Sequence, residues 1–349
     1  MQIAIRNIVH FLKYKKYIYA ICIATATMIF LTYLFLLFLP IAHIEKENSI
    51  EISIERGMTP QEIAVLLKEK KIIGKVQSFL WGAKLLGVTR KLQAGRYFFV
   101  GWITNYSVLR KLYKGYVITE QVTIPEGSRA TKIAEILEKR FGINSKYFIE
   151  LVNSKAFCRS LGIEAITLEG YLYPDTYYFQ VDEKPEKIVK RMVSRFQEIF
   201  VDSLKERSHQ LGMSVHQVVT LASIVEGEAV IDTERSIIAA LYLNRLRRNM
   251  LLQADPTIQY IIQDGPRRLL TKDLTLESPY NTYIHSGLPP GPVNNPGIAS
   301  ILATLYPAKV EYLYMVANGD GSHTFSRTMS EHLKAKKRFD KIRHQVNHK

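Results

Sequence analysis

Ser214-Val-His-Gln-Val-Val-Thr-Leu-Ala-Ser-Ile-Val-Glu-Gly-Glu-Ala229 is the stretch on which the reading of this chain turns. Ser214 and Gln217 form an S-x-x-Q capping box, which predicts a helix beginning just after Ser214. At about 100° per residue from Val215, the residues Val219, Ala222, Val218 and Val225 gather on one apolar stripe. Glu226 falls about 20° from Val215, inside that stripe. Glu228 falls about 200° further round and is expected to face water or another segment. A glutamate on a buried face is costly unless it is paired or protonated. Position alone leaves two readings open for Glu226: a desolvated general acid, or a structural ion pair with a distant Lys or Arg.

Around this helix the texture predicts an α+β chain. Helical patterns over 184–205, 214–229 and 233–249 alternate with loops rich in aromatic residues, Pro and Gly. Tyr312-Leu-Tyr-Met-Val316 and His323-Thr-Phe325 read as two strands joined at Asn318-Gly-Asp-Gly321. Upstream, Ile52-Ser-Ile-Glu-Arg-Gly57 with its following helix repeats as Val122-Thr-Ile-Pro-Glu-Gly127 with its own. Each copy predicts a short strand, a glycine turn and an amphipathic helix, the first helix capped by Thr59 with Pro60 at its first position. Asn295-Pro296 reads as a further helix cap and first turn.

The amino-terminal part sets the compartment. From Tyr17 to Ile44 there is no Asp, Glu, Lys or Arg, and Tyr17–Leu39 is apolar throughout. Those 23 residues span about 35 Å as a helix, enough to cross a bilayer. Arg6, Lys13, Lys15 and Lys16 precede the run, so the expected topology puts the short tail in the cytoplasm and the remainder outside. A cleaved signal peptide fits less well, because the apolar run is too long.

The whole chain has 349 residues, 47 Lys+Arg against 32 Asp+Glu and a net charge of +15. With four basic and no acidic groups before residue 45, the exported part keeps +11. Such a surface suits anionic lipid or an anionic wall polymer, and that compartment excludes nucleic acid. The basic run 334–349 is expected to be a solvated helical face and tail. A mean hydropathy of −0.04 excludes a polytopic membrane protein. Two cysteines exclude a disulfide framework and a four-cysteine zinc site. No H-E-x-x-H, G-x-S-x-G or P-loop is present, and no metal or cofactor is expected.

Several blocks together resemble the endolytic murein transglycosylase (MltG/YceG-like) family. They are Leu221-Ala-Ser-Ile-Val-Glu226-x-Glu228, Asn244-Arg245-Leu246, Leu252-Gln-Ala-Asp-Pro-Thr257 and Leu168-Glu-Gly-Tyr-Leu-Tyr-Pro-Asp-Thr-Tyr177. Ser278-Pro-Tyr-Asn-Thr-Tyr283, Ser286-Gly-Leu-Pro-Pro-Gly291 and His323-Thr-Phe325 complete the set, in the family's order. The resemblance implies a cytoplasmic tail over 1–16, a transmembrane helix over 17–40, a LysM-like α+β module over 45–117 and a mixed α/β catalytic domain over 118–343. It implies a lytic cut of the β-1,4 bond between N-acetylmuramic acid and N-acetylglucosamine inside peptidoglycan strands, with peptidoglycan synthases as neighbours at the inner membrane. It also implies Glu226 as the catalytic glutamate. Where the family often has a charged or polar residue, position 227 is Gly, which is expected to loosen the helix end.

Secondary polar candidates are Ser223, Glu169, Asp175, Gln253, Asp255, Thr257, Gln259, Asn281 and Thr282, each as well suited to holding loop backbone as to holding a sugar. Tyr171, Tyr173, Tyr177, Tyr178 and Phe179 offer flat faces to sugars, or core packing. Two rival functions remain at this stage: a non-catalytic wall-binding scaffold, and a hydrolase that uses water and needs a second carboxylate opposite the first.

Overall fold

The computed structural model describes residues 2–45, 49–115, 119–180, 183–263 and 265–347. The chain separates into two compact units, residues 1–120 with 180–182, and residues 121–179 with 183–349. The boundary expected at 117/118 lies outside the described residues.

In the first unit, helix α1 (Gln2–Phe38) runs well upstream of the apolar segment and stops before Pro40, where strand β1 (Pro40–Ile44) begins. Strand β2 (Ile50–Ile54) leads to helices α2 (Pro60–Glu69) and α3 (Val76–Leu85), then strands β3 (Gly95–Phe99) and β4 (Gly101–Thr104) and helix α4 (Asn105–Lys114). β1 pairs antiparallel with β4, and β2 with β3. Thr59 caps α2 in a full capping box with Glu62, and Pro60 opens the helix. Ile52, Ile54, Leu67, Phe79, Tyr97, Phe99 and Leu109 form the core.

Strand β5 (Thr119–Thr123) carries the chain into the second unit, where helices α5 (Ala130–Phe141), α6 (Ser145–Val152) and α7 (Lys155–Ser160) follow. Strand β6 (Thr176–Gln180) pairs with β5, and helices α8 (Pro185–Ile199), α9 (Asp202–Gln210), α10 (Val215–Glu228) and α11 (Arg235–Arg247) follow. Helices α12 (Asp255–Ile261) and α13 (Ile298–Leu305), the antiparallel hairpin of β7 (Tyr314–Ala317) and β8 (His323–Ser326), and helix α14 (Met329–Asn347) complete it. The α+β expectation holds, although each sheet among the described residues has only two strands. Both repeat copies form the expected strand, turn and helix, with Gly57 at φ +94° and Gly127 at φ +71°.

Two local expectations give way. The helical pattern over 184–205 is broken at Phe200-Val201, because Phe200 turns inward, is 1% exposed and stacks on Phe196. Asn295 caps no helix, since α13 starts at Ile298 behind Gly297. It is instead a buried cross-brace. Its Oδ1 accepts from the backbone N–H of Gly170 and Leu172 at 2.8 and 2.9 Å, and its Nδ2 donates to the Ser128 carbonyl and to Glu169, both at 2.8 Å.

Helix α10 is the centre of this unit. Every residue from Val218 to Val225 is buried, so the expected apolar stripe is in fact a helix enclosed on all sides. Val218, Val219 and Ala222 belong to the core with α5, α6 and α8. Leu221, Ile224 and Val225 belong to a second core with α11 and α13. The two hydroxyls that go inside are satisfied within the helix, Thr220 on the His216 carbonyl and Ser223 on the Thr220 carbonyl, each at 2.7 Å.

Replacing Asn295 by Ala strands the Gly170 and Leu172 N–H groups in the interior, each costing about 1–3 kcal/mol. Asn295→Ala is therefore expected to lower the midpoint of the second unit's urea transition sharply, followed by circular dichroism. An unchanged midpoint would show that the cross-brace carries no stability.

Candidate functional site

The last turn of α10 sends its two glutamates to opposite sides. Glu226 goes inward, as its wheel position requires, with 6% of its side chain exposed. There its Oε1 lies 3.2 Å from Nη1 of Arg235, and its Oε2 accepts from the Gly297 backbone N–H at 3.1 Å. Arg235 also donates to Ser300 and Asp232, at 2.6 and 3.0 Å. The ion-pair partner that the sequence left unidentified is Arg235. The guanidinium and the Gly297 amide together occupy both carboxylate oxygens of Glu226.

Glu228 faces a cavity of about 440 Å³. Tyr242 and Arg245 of α11, Gln253, Asp255, Tyr283, His323 at the start of β8 and His332 of α14 line the same cavity. Tyr242 donates its hydroxyl to Glu228 Oε1 at 2.7 Å. Burial pushes the Glu228 carboxyl up to about 7; the Tyr242 hydrogen bond opposes this, and the nearby Asp255 charge adds to it. The negative end of α10 acts in the same direction. Glu228 is thus shifted towards neutrality beside an open space.

The cavity wall is built to stay in place. Gln253 holds a left-handed φ of +49°, a strained conformation for a residue with a side chain, and its N–H is fixed on the Thr282 carbonyl at 3.0 Å. Thr282 accepts from the Ala254 N–H at 3.0 Å and shares a hydrogen bond with Thr257 at 2.9 Å. Asp255 accepts from the Tyr283 hydroxyl at 2.5 Å, and its backbone N–H hydrogen-bonds Glu228. His323 is gripped by Glu234, through its backbone N–H at 2.9 Å and its Nδ1 at 2.7 Å. Gly227 does not loosen the helix, which continues through Glu228. A Cβ at position 227 would come within 2.7 Å of Pro256, so only glycine lets α12 start this close to the end of α10.

Of the polar candidates taken from the sequence, Gln253 and Asp255 alone line this cavity. Ser223 is fully buried and receives the Val293 N–H at 3.0 Å. Glu169 caps α5 through the Ala130 N–H at 3.0 Å and accepts from Asn295, away from the Glu228 cavity. Burial pushes its carboxyl up to about 7 as well. Asp175 pairs with Arg195 at 2.7 Å. Gln259 holds the backbone of Arg267 through both ends of its amide. Asn281 is buried and clips the Leu274 and Leu276 carbonyls at 3.1 and 2.7 Å. Tyr171, Tyr173, Tyr177 and Phe179 pack in the core, and only Tyr178 among those aromatic residues is exposed. The wheel had placed Glu228 opposite the stripe; what marks it is the convergence there of Asp255, Tyr283 and His323, which come from three separate blocks.

The model of the YceG-like family matches residues 52–338. This chain belongs to that family. The YceG-like chain is 33% identical over 311 residues to the endolytic murein transglycosylase of Bacillus subtilis (strain 168), an alignment covering 84% of this chain and 86% of that protein. It is 27% identical over 329 residues to the endolytic murein transglycosylase of Streptococcus pneumoniae (strain ATCC BAA-255 / R6), covering 82% of this chain and 59% of that longer protein. A crystal structure of a YceG-like protein from Listeria monocytogenes superposes with a TM-score of 0.57 at 32% identity, over 83% of this chain and 99% of that one.

The two raised carboxyls carry a pH signature. Between about pH 4.5 and 7 the folded chain holds protons on Glu228 and Glu169 that the unfolded chain releases. Their contribution to stability is therefore complete below pH 4.5 and is lost as pH rises through 7. Urea unfolding across that window is expected to show falling stability, with a shallower fall in Glu228→Gln. An equal slope in the variant would show that Glu228 titrates normally.

Proposed function

We propose that this chain is a membrane-anchored endolytic peptidoglycan transglycosylase whose acid is Glu228 rather than Glu226. The observation that carries the proposal is the Glu228 carboxyl, hydrogen-bonded by Tyr242 and facing a cavity lined with hydroxyl, amide and imidazole groups, the chemistry that binds sugars. Membership of the YceG-like family, and the transglycosylase names of its relatives in Bacillus and Streptococcus, support the reaction class.

The neutral Glu228 carboxyl donates its proton to the bridging oxygen of the β-1,4 bond between N-acetylmuramic acid and N-acetylglucosamine. As the bond from C1 to that oxygen breaks, the C6 hydroxyl oxygen of the same N-acetylmuramic acid attacks C1. Its proton goes to the Glu228 carboxylate, which returns to the acid form. No water is consumed, and one strand gains a 1,6-anhydro end. Holding the ring for this attack turns a bimolecular step into an intramolecular one, worth roughly 7–11 kcal/mol at best. One carboxyl suffices because the nucleophile belongs to the substrate.

A hydrolase instead needs a second carboxylate across the bond, about 5–9.5 Å away. Asp255 is the other carboxylate lining the cavity, and it sits on the same wall as Glu228, its backbone N–H bonded to Glu228 and its side chain held by Tyr283. That arrangement favours the lytic reading. The desolvated acid argues against a scaffold that only binds, which has no use for it.

The remaining parts fit an enzyme working at the membrane surface. Helix α1 contains a window, Lys15–Thr32, long and apolar enough to cross a bilayer. With the basic residues before it, α1 is read as a single-pass anchor in the cytoplasmic membrane, its tail inside and both units beyond it outside. The strand–helix module of residues 45–117 is read as LysM-like, and nascent glycan strands with their synthases as the surroundings.

Glu228→Gln is expected to keep the fold and lower strand cleavage by about 10²–10⁴-fold. Glu226→Gln breaks the Arg235 pair, and is expected to lower the melting temperature while cleavage persists. Muropeptide profiles of digested peptidoglycan read both. If Glu226→Gln is inactive while still folded, and Glu228→Gln is active, the assignment is reversed. In the same digests, mass spectrometry is expected to find anhydro ends, 18 Da lighter than the water-added ends a hydrolase would leave, because water is not incorporated.

A further inference from the structure

Helix α3 of the first unit has two faces. Phe79, Gly82 and Ala83 are buried in the module, whereas Trp81 and Leu85 are 54% and 47% exposed, with Leu86 just beyond at 40%. That open face does not stand alone. Trp81, Leu85, Ser78 and Gly82 line one groove of about 270 Å³ together with Ala26, Ile29, Phe30 and Leu37 of α1. The two helices are locked together at the upper end of α1. Leu37 is 4% exposed and seats on Gly82, where a Cβ would come within 2.6 Å of it, and the Phe38 ring lies 5.0 Å from that of Tyr106 on α4.

This places Trp81 alongside the anchor. A hydrocarbon core takes about 20 helical residues. Any such stretch within Tyr17–Leu39 includes Ala26, Ile29 and Phe30. The groove follows α1 from Ala26 to Leu37, so Trp81 and Leu85 lie beside the outer half of the anchor and within the reach of a bilayer that surrounds it. The charge pattern agrees. Between Glu69 and Glu120 there is no acidic residue, but there are ten Lys and Arg. Lys84, the only charged residue of α3, lies over the Trp81 ring with its ammonium 5.4 Å from the centroid, free to reach towards phosphate from a lipid-covered stem.

We propose that α3 is a second membrane contact: its Trp81–Leu86 face lies in the outer leaflet of the membrane beside the anchor, with the basic module resting on anionic headgroups. The occupant of the groove is lipid. This rests on the anchor reading of α1, and the test separates the two.

The chain has two tryptophans, so Trp102→Phe leaves Trp81 as the sole reporter. The full-length variant is reconstituted into phosphatidylglycerol/phosphatidylcholine vesicles with or without brominated acyl chains, and flotation at high salt reports the anchor. The expected result is flotation together with a fall in Trp81 emission of about twofold or more in brominated vesicles, as for a residue at membrane depth. Flotation with no bromine quenching, and with Trp81 open to aqueous acrylamide, overturns the lipid contact and leaves the anchor standing. Protection of Trp81 by added peptidoglycan instead of by lipid also overturns it and gives the face to the wall polymer. Failure to float overturns the anchor and this contact together.

Discussion

A helix buried on every side governs the larger unit. Between Val218 and Val225, α10 has no solvent face, so it serves as the shared wall of two cores. Burying a large aliphatic side chain is worth about 1.5–3 kcal/mol, and this helix presents several to each core. It emerges again at its last turn, and both glutamates appear there. The end of the most constrained element is thus the place where two carboxyls can be held in fixed and contrasting environments.

Those environments explain how two glutamates separated by one residue acquire opposite properties. Glu226 meets a guanidinium and an amide N–H. Glu228 meets a tyrosine hydroxyl and an acidic neighbour, loses water and keeps its proton. Burial alone does not make an acid. The sign of the nearest charge decides whether a desolvated carboxyl ionises.

Much of the architecture was legible in the sequence because it depends on local chemistry. The Ser214–Gln217 capping box, the Thr59-Pro60 helix start, the repeated strand–turn–helix and the hairpin over Asn318–Gly321 are set by residues close together in the chain. What escaped was set by distant partners. Helical angles put Glu226 inside correctly but could not see Arg235 waiting there. Asn295 before a proline looks like a cap, and its cross-brace role depends on Gly170 and Ser128, which lie more than a hundred residues away. The break at Phe200 follows from packing against Phe196 and carries no glycine or proline to announce it. Asn281, Thr282 and Gln259 were recognisable as polar loop residues, but their role in fixing the backbone behind the cavity is a matter of register between loops.

Gly227 has a wider consequence. Its missing side chain acts as a gauge for the gap between the end of α10 and Pro256. A side chain at this place would push α12 away, moving the Asp255 amide off the Glu228 carboxyl that it hydrogen-bonds. The residue between the two glutamates thus sets the spacing of the cavity wall without itself facing the cavity.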